Sequence, residues 1–177
     1  MNIDRPEHYF EVSLDRSRQS KDLYEECFSF ALSMYVSGLA VESMFRALAL
    51  RNDPELVSRA DTMRLFKGHD LSQWFAESGL GDADQSALRK KGLRESQAEE
   101  QFLKIRAAVN DVCQLWSNLL RYASESTVKI HLKKIHQDRG IMGSYLKENA
   151  RRLFSSSQIL ITAGERRWSL LTKSKRS

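Results

Sequence analysis

Residues Gly38 to Leu48 read Gly-Leu-Ala-Val-Glu-Ser-Met-Phe-Arg-Ala-Leu, a nearly all-apolar segment of helical character. It carries one carboxylate, Glu42, and one guanidinium, Arg46, four residues apart. A helix that is apolar on most sides must be surrounded by other elements, so it forms the centre of a helical domain. Its two charges are i,i+4 neighbours on one face. Buried charges persist only when paired. The spacing therefore predicts an ion pair, within the helix or to the next helix, with Glu42 and Arg46 as a polar core or cleft pair.

Around this segment the pattern is helical throughout. Leu23, Cys27, Phe30, Met34, Val41, Phe45 and Leu48 recur at mostly three- to four-residue steps, which predicts one helix from near Ser17–Lys21 to about Arg51. Asn52-Asp53-Pro54 ends it, and a short helix is expected over 55–63. Gly68-His69-Asp70-Leu71-Ser72 is a break and restart, with Asp70 or His69 at the cap. The helix that follows stops at Ser78-Gly79. A long helix is expected from Gly81–Asp84, with an interruption at Gly92. Its stripe is Phe102, Ile105, Val109, Val112, Trp116, Leu119 and Leu120. Residues 122–127 read as a loop, 128–136 as a basic helix, and Gly140 and Gly143 as a turn. A last helix carries Tyr145, Leu146, Leu153, Leu160, Ala163 and Trp168. Strand patterns are missing, so the expected fold is an all-α, up-and-down bundle of four to five main helices. It forms one domain over 1–172, with a frayed basic tail at 173–177.

Composition narrows the function classes. The 177 residues include only eight Gly and two Pro, so few breaks are expected. No apolar run of 18 residues exists, and the first residues lack a signal-peptide core, so a cytoplasmic protein with no membrane association is expected. Cys27 and Cys113 lie among apolar residues at helical spacing and read as core residues. Charge is uneven: residues 1–120 hold 15 Lys+Arg against 19 Asp+Glu, whereas residues 121–177 hold 13 against 4. A basic last third suits a polyanion or an acidic partner. The P-loop, dinucleotide, nucleophile-elbow and zinc-protease motifs do not occur, which leaves ordinary kinase, dehydrogenase and hydrolase readings without support.

Several short motifs, in order, carry a resemblance. Gly38, Ala40, Glu42, Arg46 and Ala47 lie in the central helix, and His69-Asp70-Leu71 opens the next. Ser78-Gly79-Leu80 closes it. Trp116, Leu120, Arg121 and Tyr122 lie at the end of the third long helix, and 163–168 read Ala-Gly-Glu-Arg-Arg-Trp. Over roughly residues 23 to 168 the chain resembles the HEPN domain family of helical proteins. The resemblance implies a homodimer whose polar motifs face one cleft, and RNA cleavage without a metal or cofactor. It also implies a setting in a prokaryotic toxin or phage-defence system. The alternative it implies is a non-catalytic dimerisation module that binds a partner protein, such as a nucleotidyltransferase or another antitoxin.

The family's nuclease motif is Arg, four to six residues, then His. The residue types follow from the chemistry: His accepts the ribose 2′-OH proton near neutral pH, and Arg binds the phosphate as charge builds on it. From Arg121 the next histidine is His131, ten positions on, and then His136. Arg64 and His69 have the motif spacing but lie between the wrong helices. The catalytic candidates are therefore Arg121 and His131. The RNA-binding candidates are Tyr122, Lys129, Lys133, Lys134, Arg151 and Arg152, within a wider basic set that adds Arg139, Arg166 and Arg167. His131 and His136 are five apart and off one helix face, so no metal site is expected. His69 reads as a cap or turn residue bonded to loop backbone.

Overall fold

The computed structural model of the chain describes residues 5–57, 68–81, 94–137 and 145–174. These are helical, with no strand among them. The helices are α1 (Pro6–Glu25), α2 (Phe30–Asn52), α3 (Leu71–Ser78), α4 (Glu95–Leu115), α5 (Glu125–Gln137) and α6 (Tyr145–Ser174). Two 3-10 turns, Pro54–Val57 and Asn118–Tyr122, follow α2 and α4. The all-α class is as expected, with six helices among the described residues instead of four to five main ones.

The central helix lies where the composition puts it. From Ser33 to Leu50 every residue of α2 except Tyr35, Leu39 and Ser43 is buried. It packs against α1, α3 and α6, and α6 in turn holds α1, α4 and α5. Leu146, Leu153 and Leu160 repeat every seven residues along α6 and are all buried, a seam that keeps one side of this 30-residue helix inward.

The long first helix foreseen over 17–51 is instead two helices. The chain turns at 26–29, where Phe28 adopts a left-handed φ of 52° and the Ser29 amide donates to the Leu23 carbonyl. A non-glycine residue there costs about 1–2 kcal/mol. Opposing contacts hold the hairpin closed. Ser20 and Ser37 share a hydrogen bond, and the Ser33 hydroxyl donates to the Ser20 carbonyl at 3.0 Å. Tyr24 meets Phe30 edge-on and stacks on Phe154 of α6. Buried small residues, Ser13, Ser17 and Ser20 on α1 and Ser33 and Ser37 on α2, line the two helices. The turn also removes Cys27 from the core, where it had been expected. Cys27 is exposed, and Cys113 is only partly buried.

Other boundaries follow local chemistry. Asp70 caps α3, its carboxylate accepting from the Ser72 and Gln73 amides, and Gly79 ends the helix at φ 61°. Helix α4 ends at Leu115, with Trp116 extended, so the expected stripe is cut short. Leu120 is buried, but Leu119 is 73 % exposed. The expected loop at 122–127 is mostly helical, the end of a 3-10 turn followed by the start of α5. The expected helix at 55–63 is a 3-10 turn up to Val57, and its remainder lies outside the described residues. So do Gly92, Arg139, Gly140, Gly143 and residues 175–177 of the tail expected at 173–177, whose first two residues instead continue α6.

Candidate functional site

The expected pair on α2 forms and recruits a third member. Arg46 donates to Glu42 at 2.5 Å, with both side chains at or below a tenth exposed. Arg46 also donates to the Gly68 carbonyl at 2.9 Å, and its guanidinium lies over the Trp74 ring at 4.7 Å. The third member is His69. Its Nδ1 stands 2.9 and 3.1 Å from the two Glu42 oxygens. His69 was expected to bond loop backbone; it bonds a buried carboxylate instead. The reason is tertiary. The Asp70 cap starts α3 directly after His69, and Arg46 holds Gly68, so the residue between them is brought onto the Glu42 carboxylate.

The chemistry of this trio is specific. A carboxylate only accepts, so the ring nitrogen facing it carries a proton. In the neutral ring that leaves Nε2 with its lone pair. The Trp116 ring meets the imidazole edge-on, with centroids 6.4 Å apart, and the Trp116 indole N–H donates to the Tyr35 carbonyl. The imidazole is thus fixed on two sides and 42 % exposed on the rest.

His69 opens onto a cleft of about 280 Å³, lined also by Asp70, Ser72, Cys113, Trp116, Ser117 and Asn118. The Cys113 sulfur lies 3.5 Å from the Ser72 hydroxyl. Burial pushes the Cys113 thiol up; the Ser72 hydrogen bond opposes this, and the Asp70 charge adds to it. Cys113 is therefore a weak nucleophile at neutral pH.

A second groove, of about 330 Å³, is lined by residues of the Asn118–Tyr122 turn and of α5 and shares Ser117 with the first. Its walls include Leu119, Leu120, Tyr122, Val128 and His131. Tyr122 is 74 % exposed, and the Arg121 guanidinium lies over its ring at 4.4 Å. Tyr122 and His131 thus line one groove; Arg121 is not among its walls and meets it only through the Tyr122 ring.

The basic candidates divide. Lys133 and Lys134 are exposed on α5, and Lys134 is one turn beyond His131. Lys129 pairs with Glu125 at 2.8 Å in a fully surface setting, which is worth little and leaves it available. Arg151 pairs with Glu148, also at the surface. Arg152 differs, because it bridges from α6 to Asp111 of α4, which the Ser156 hydroxyl also contacts. Its guanidinium thus ties α6 to α4. Arg167 of α6 donates to Asn52. No group of His, Cys, Asp and Glu among the described residues is placed to hold a metal.

The residue that sequence reasoning passed over is His69. Its signal was the His-Asp-Leu motif itself, together with a buried Glu42 whose second oxygen needed a donor.

Compared with known proteins, the chain matches no family model, no curated sequence and no solved structure.

Proposed function

We propose that this chain is a HEPN-like protein that binds single-stranded RNA across the Asn118–Tyr122 turn and cuts it without a metal. The observation that carries the reading is the exposed Tyr122 ring, which lines one groove with His131 and has the Arg121 guanidinium over its face. An exposed aromatic ring braced by a guanidinium is a platform on which any base can stack. Lys134 and Lys133 on α5 offer phosphate contacts beside it. The excess of Lys and Arg beyond residue 120 supports the same reading. Cleavage needs a proton acceptor for the 2′-OH, and His131 lines the same groove as Tyr122. Self-association into a homodimer belongs to this reading. Its support is the exposed apolar residues Leu103, Leu119 and Ile130.

The test is fluorescence anisotropy with a labelled, mixed-sequence single-stranded RNA at several salt concentrations. Affinity falls with salt at a slope of about −0.7 per phosphate contacted. Loss of one stacked base is worth about 1–3 kcal/mol, so Tyr122→Ala weakens binding by about fivefold or more. Lys134→Ala weakens all sequences alike. Cleavage persists in EDTA and leaves a cyclic phosphate. Absence of binding at low salt overturns the reading, as does a Tyr122→Ala variant that binds like the parent.

One observation favours a second reading. The groove is walled by Leu119, Leu120, Ala123 and Val128, and Ile130 is exposed on the same helix as His131. Such a surface suits a partner protein, for which the resemblance suggests a nucleotidyltransferase or an antitoxin. Failure to bind RNA, with a stable complex that Leu119→Asp abolishes, selects it.

A further inference from the structure

We infer that the turn at 26–29 is a hinge through which two copies of this chain exchange α1, so that each α1 packs on the α2 and α6 of the other. Such exchange does not depend on RNA binding. It uses no surface but the one that α1 already covers within a single chain.

The turn is built to open. Phe28 holds a left-handed φ of 52°, which a bulky residue adopts only under constraint. Its ring is 68 % exposed, so no burial of that ring offsets the strain. Glu26, Cys27, Phe28 and Ser29 include neither glycine, which would tolerate that backbone, nor proline, which would bar a helix. The apolar stripe Leu23, Cys27, Phe30 and Met34 runs through the turn at helical steps. Ser29 precedes α2 without a side-chain cap bond, so the first amides of α2 have no hydroxyl acceptor there. With 26–29 helical, Phe28 returns to the right-handed region and the last carbonyls of α1 accept from those amides. These bonds replace the ones that close the turn, from the Cys27 amide to Asp22 and the Ser29 amide to Leu23. The result is one helix from Pro6 to Asn52, about 70 Å long at 1.5 Å per residue.

Helix α1 suits the part of the exchanged arm. Its buried residues are Ser13, Ser17 and Ser20, and its apolar ones are only partly buried, so it leaves its own chain with little loss of apolar burial. Its contacts are to residues far along the sequence: Ser17 accepts from Gln158 at 3.0 Å, Glu7 pairs with Arg51 at 2.7 Å, and Phe10 stacks on Trp168. A second copy offers the same partners in the same places. The pairing also has the symmetry that exchange needs. Ser20 meets Ser33 and Ser37, and Tyr24 meets Phe30, so the facing positions of the hairpin centre on Cys27 and Phe28. Two joined helices running antiparallel keep these pairs between copies, with a two-fold axis at that centre. Such an arrangement closes at the dimer.

The experiment places cysteines at Ser20→Cys and Ser37→Cys in the full chain with Cys27→Ser and Cys113→Ser. The two serine hydroxyls share a hydrogen bond, so the new thiols stand within disulfide reach. The chain is unfolded in urea, refolded dilute or concentrated, sized by light scattering, oxidised, and run on a denaturing gel without reductant. The dilute sample is expected to be a monomer with its disulfide inside one chain. The concentrated sample is expected to be a dimer whose two chains are covalently joined on the gel. Phe28→Gly removes the strain of the turn and weakens the joined helix, so it raises the dissociation constant of the dimer by about tenfold or more. A second readout needs no substitution: in a dimer refolded from isotope-labelled and unlabelled chains, the Phe10 ring shows an intermolecular NMR contact to the Trp168 ring. The inference is overturned if no dimer forms at any concentration, or if Phe28→Gly dimerises like the parent. A dimer with a disulfide inside each chain, or with no Phe10–Trp168 contact between chains, also overturns it and selects association through the exposed apolar residues instead.

Discussion

Gly38 of α2 and Trp116 at the end of α4 interlock so closely that a Cβ at residue 38 would stand 1.9 Å from Cδ1 of the indole. The ring lies where a side chain would be, and its N–H is tied to the Tyr35 carbonyl one turn earlier. The same ring flanks His69, so this contact also sets one wall of the candidate site.

Gly38→Ala is therefore expected to destabilise the protein, although alanine is the better helix former by about 1 kcal/mol. Overpacking against a fixed ring costs about 1–3 kcal/mol. Gly164→Ala makes a useful contrast, because its Cβ meets the flexible Met44 side chain. The urea midpoint should fall clearly for Gly38→Ala and less for Gly164→Ala, with unchanged slope.

Glu42→Ala should be among the most damaging single changes. It leaves Arg46 buried with its carboxylate partner gone, a loss of about 3–5 kcal/mol for pairs of this kind. The double variant Glu42→Ala/Arg46→Met removes both charges and should recover much of that. Denaturant melts of the two singles and the double decide it; a simple sum of effects would refute the coupling.

Arg151 and Arg152 are neighbours with different fates. Arg151→Ala should leave the thermal midpoint unchanged, because its bond to Glu148 lies on the surface. Arg152→Ala should cost about 1 kcal/mol, a charge-assisted hydrogen bond discounted for partial exposure. Asp111→Asn should reproduce the loss, and the double variant should cost no more than either single.

Asp70→Ala removes the cap of α3 and should cost about 1 kcal/mol, whereas Asp70→Asn should cost little. Because the cap also fixes the residue before it, the alanine variant should loosen His69. A broadened His69 imidazole signal by NMR in Asp70→Ala, and not in Asp70→Asn, is the expected outcome.

The two thiols should differ in reactivity. Cys27 is exposed, whereas burial pushes the Cys113 thiol above its ordinary value. A raised thiol holds less thiolate at neutral pH, so iodoacetamide should modify Cys27 first. Mass spectrometry of the singly labelled chain reads this directly, and preferential labelling of Cys113 would contradict it.

Much of the helical order was legible in the residues. The apolar run around Gly38 has only one stable environment, the middle of other helices, and α2 occupies it. Asp70 and Gly79 bound α3 because a cap and a left-handed stop act within a turn of chain. The Glu42–Arg46 pair follows from a four-residue spacing. All of these are local rules, set by neighbours within a few residues.

What the chain did not disclose depends on partners far along it. The break between α1 and α2 uses Phe28 in a left-handed conformation, which only the serine and aromatic contacts across the hairpin make tolerable. Cys27 leaves the core for the same reason. Arg152 looks like any surface cation until α4 brings Asp111 beside it. His69 and Glu42 are 27 positions apart, and no periodicity joins them. Spacing along a chain determines which residues share a helix face. Which two faces meet is decided by how whole helices pack, because only burial of the remaining apolar surface selects one arrangement among those that local structure permits.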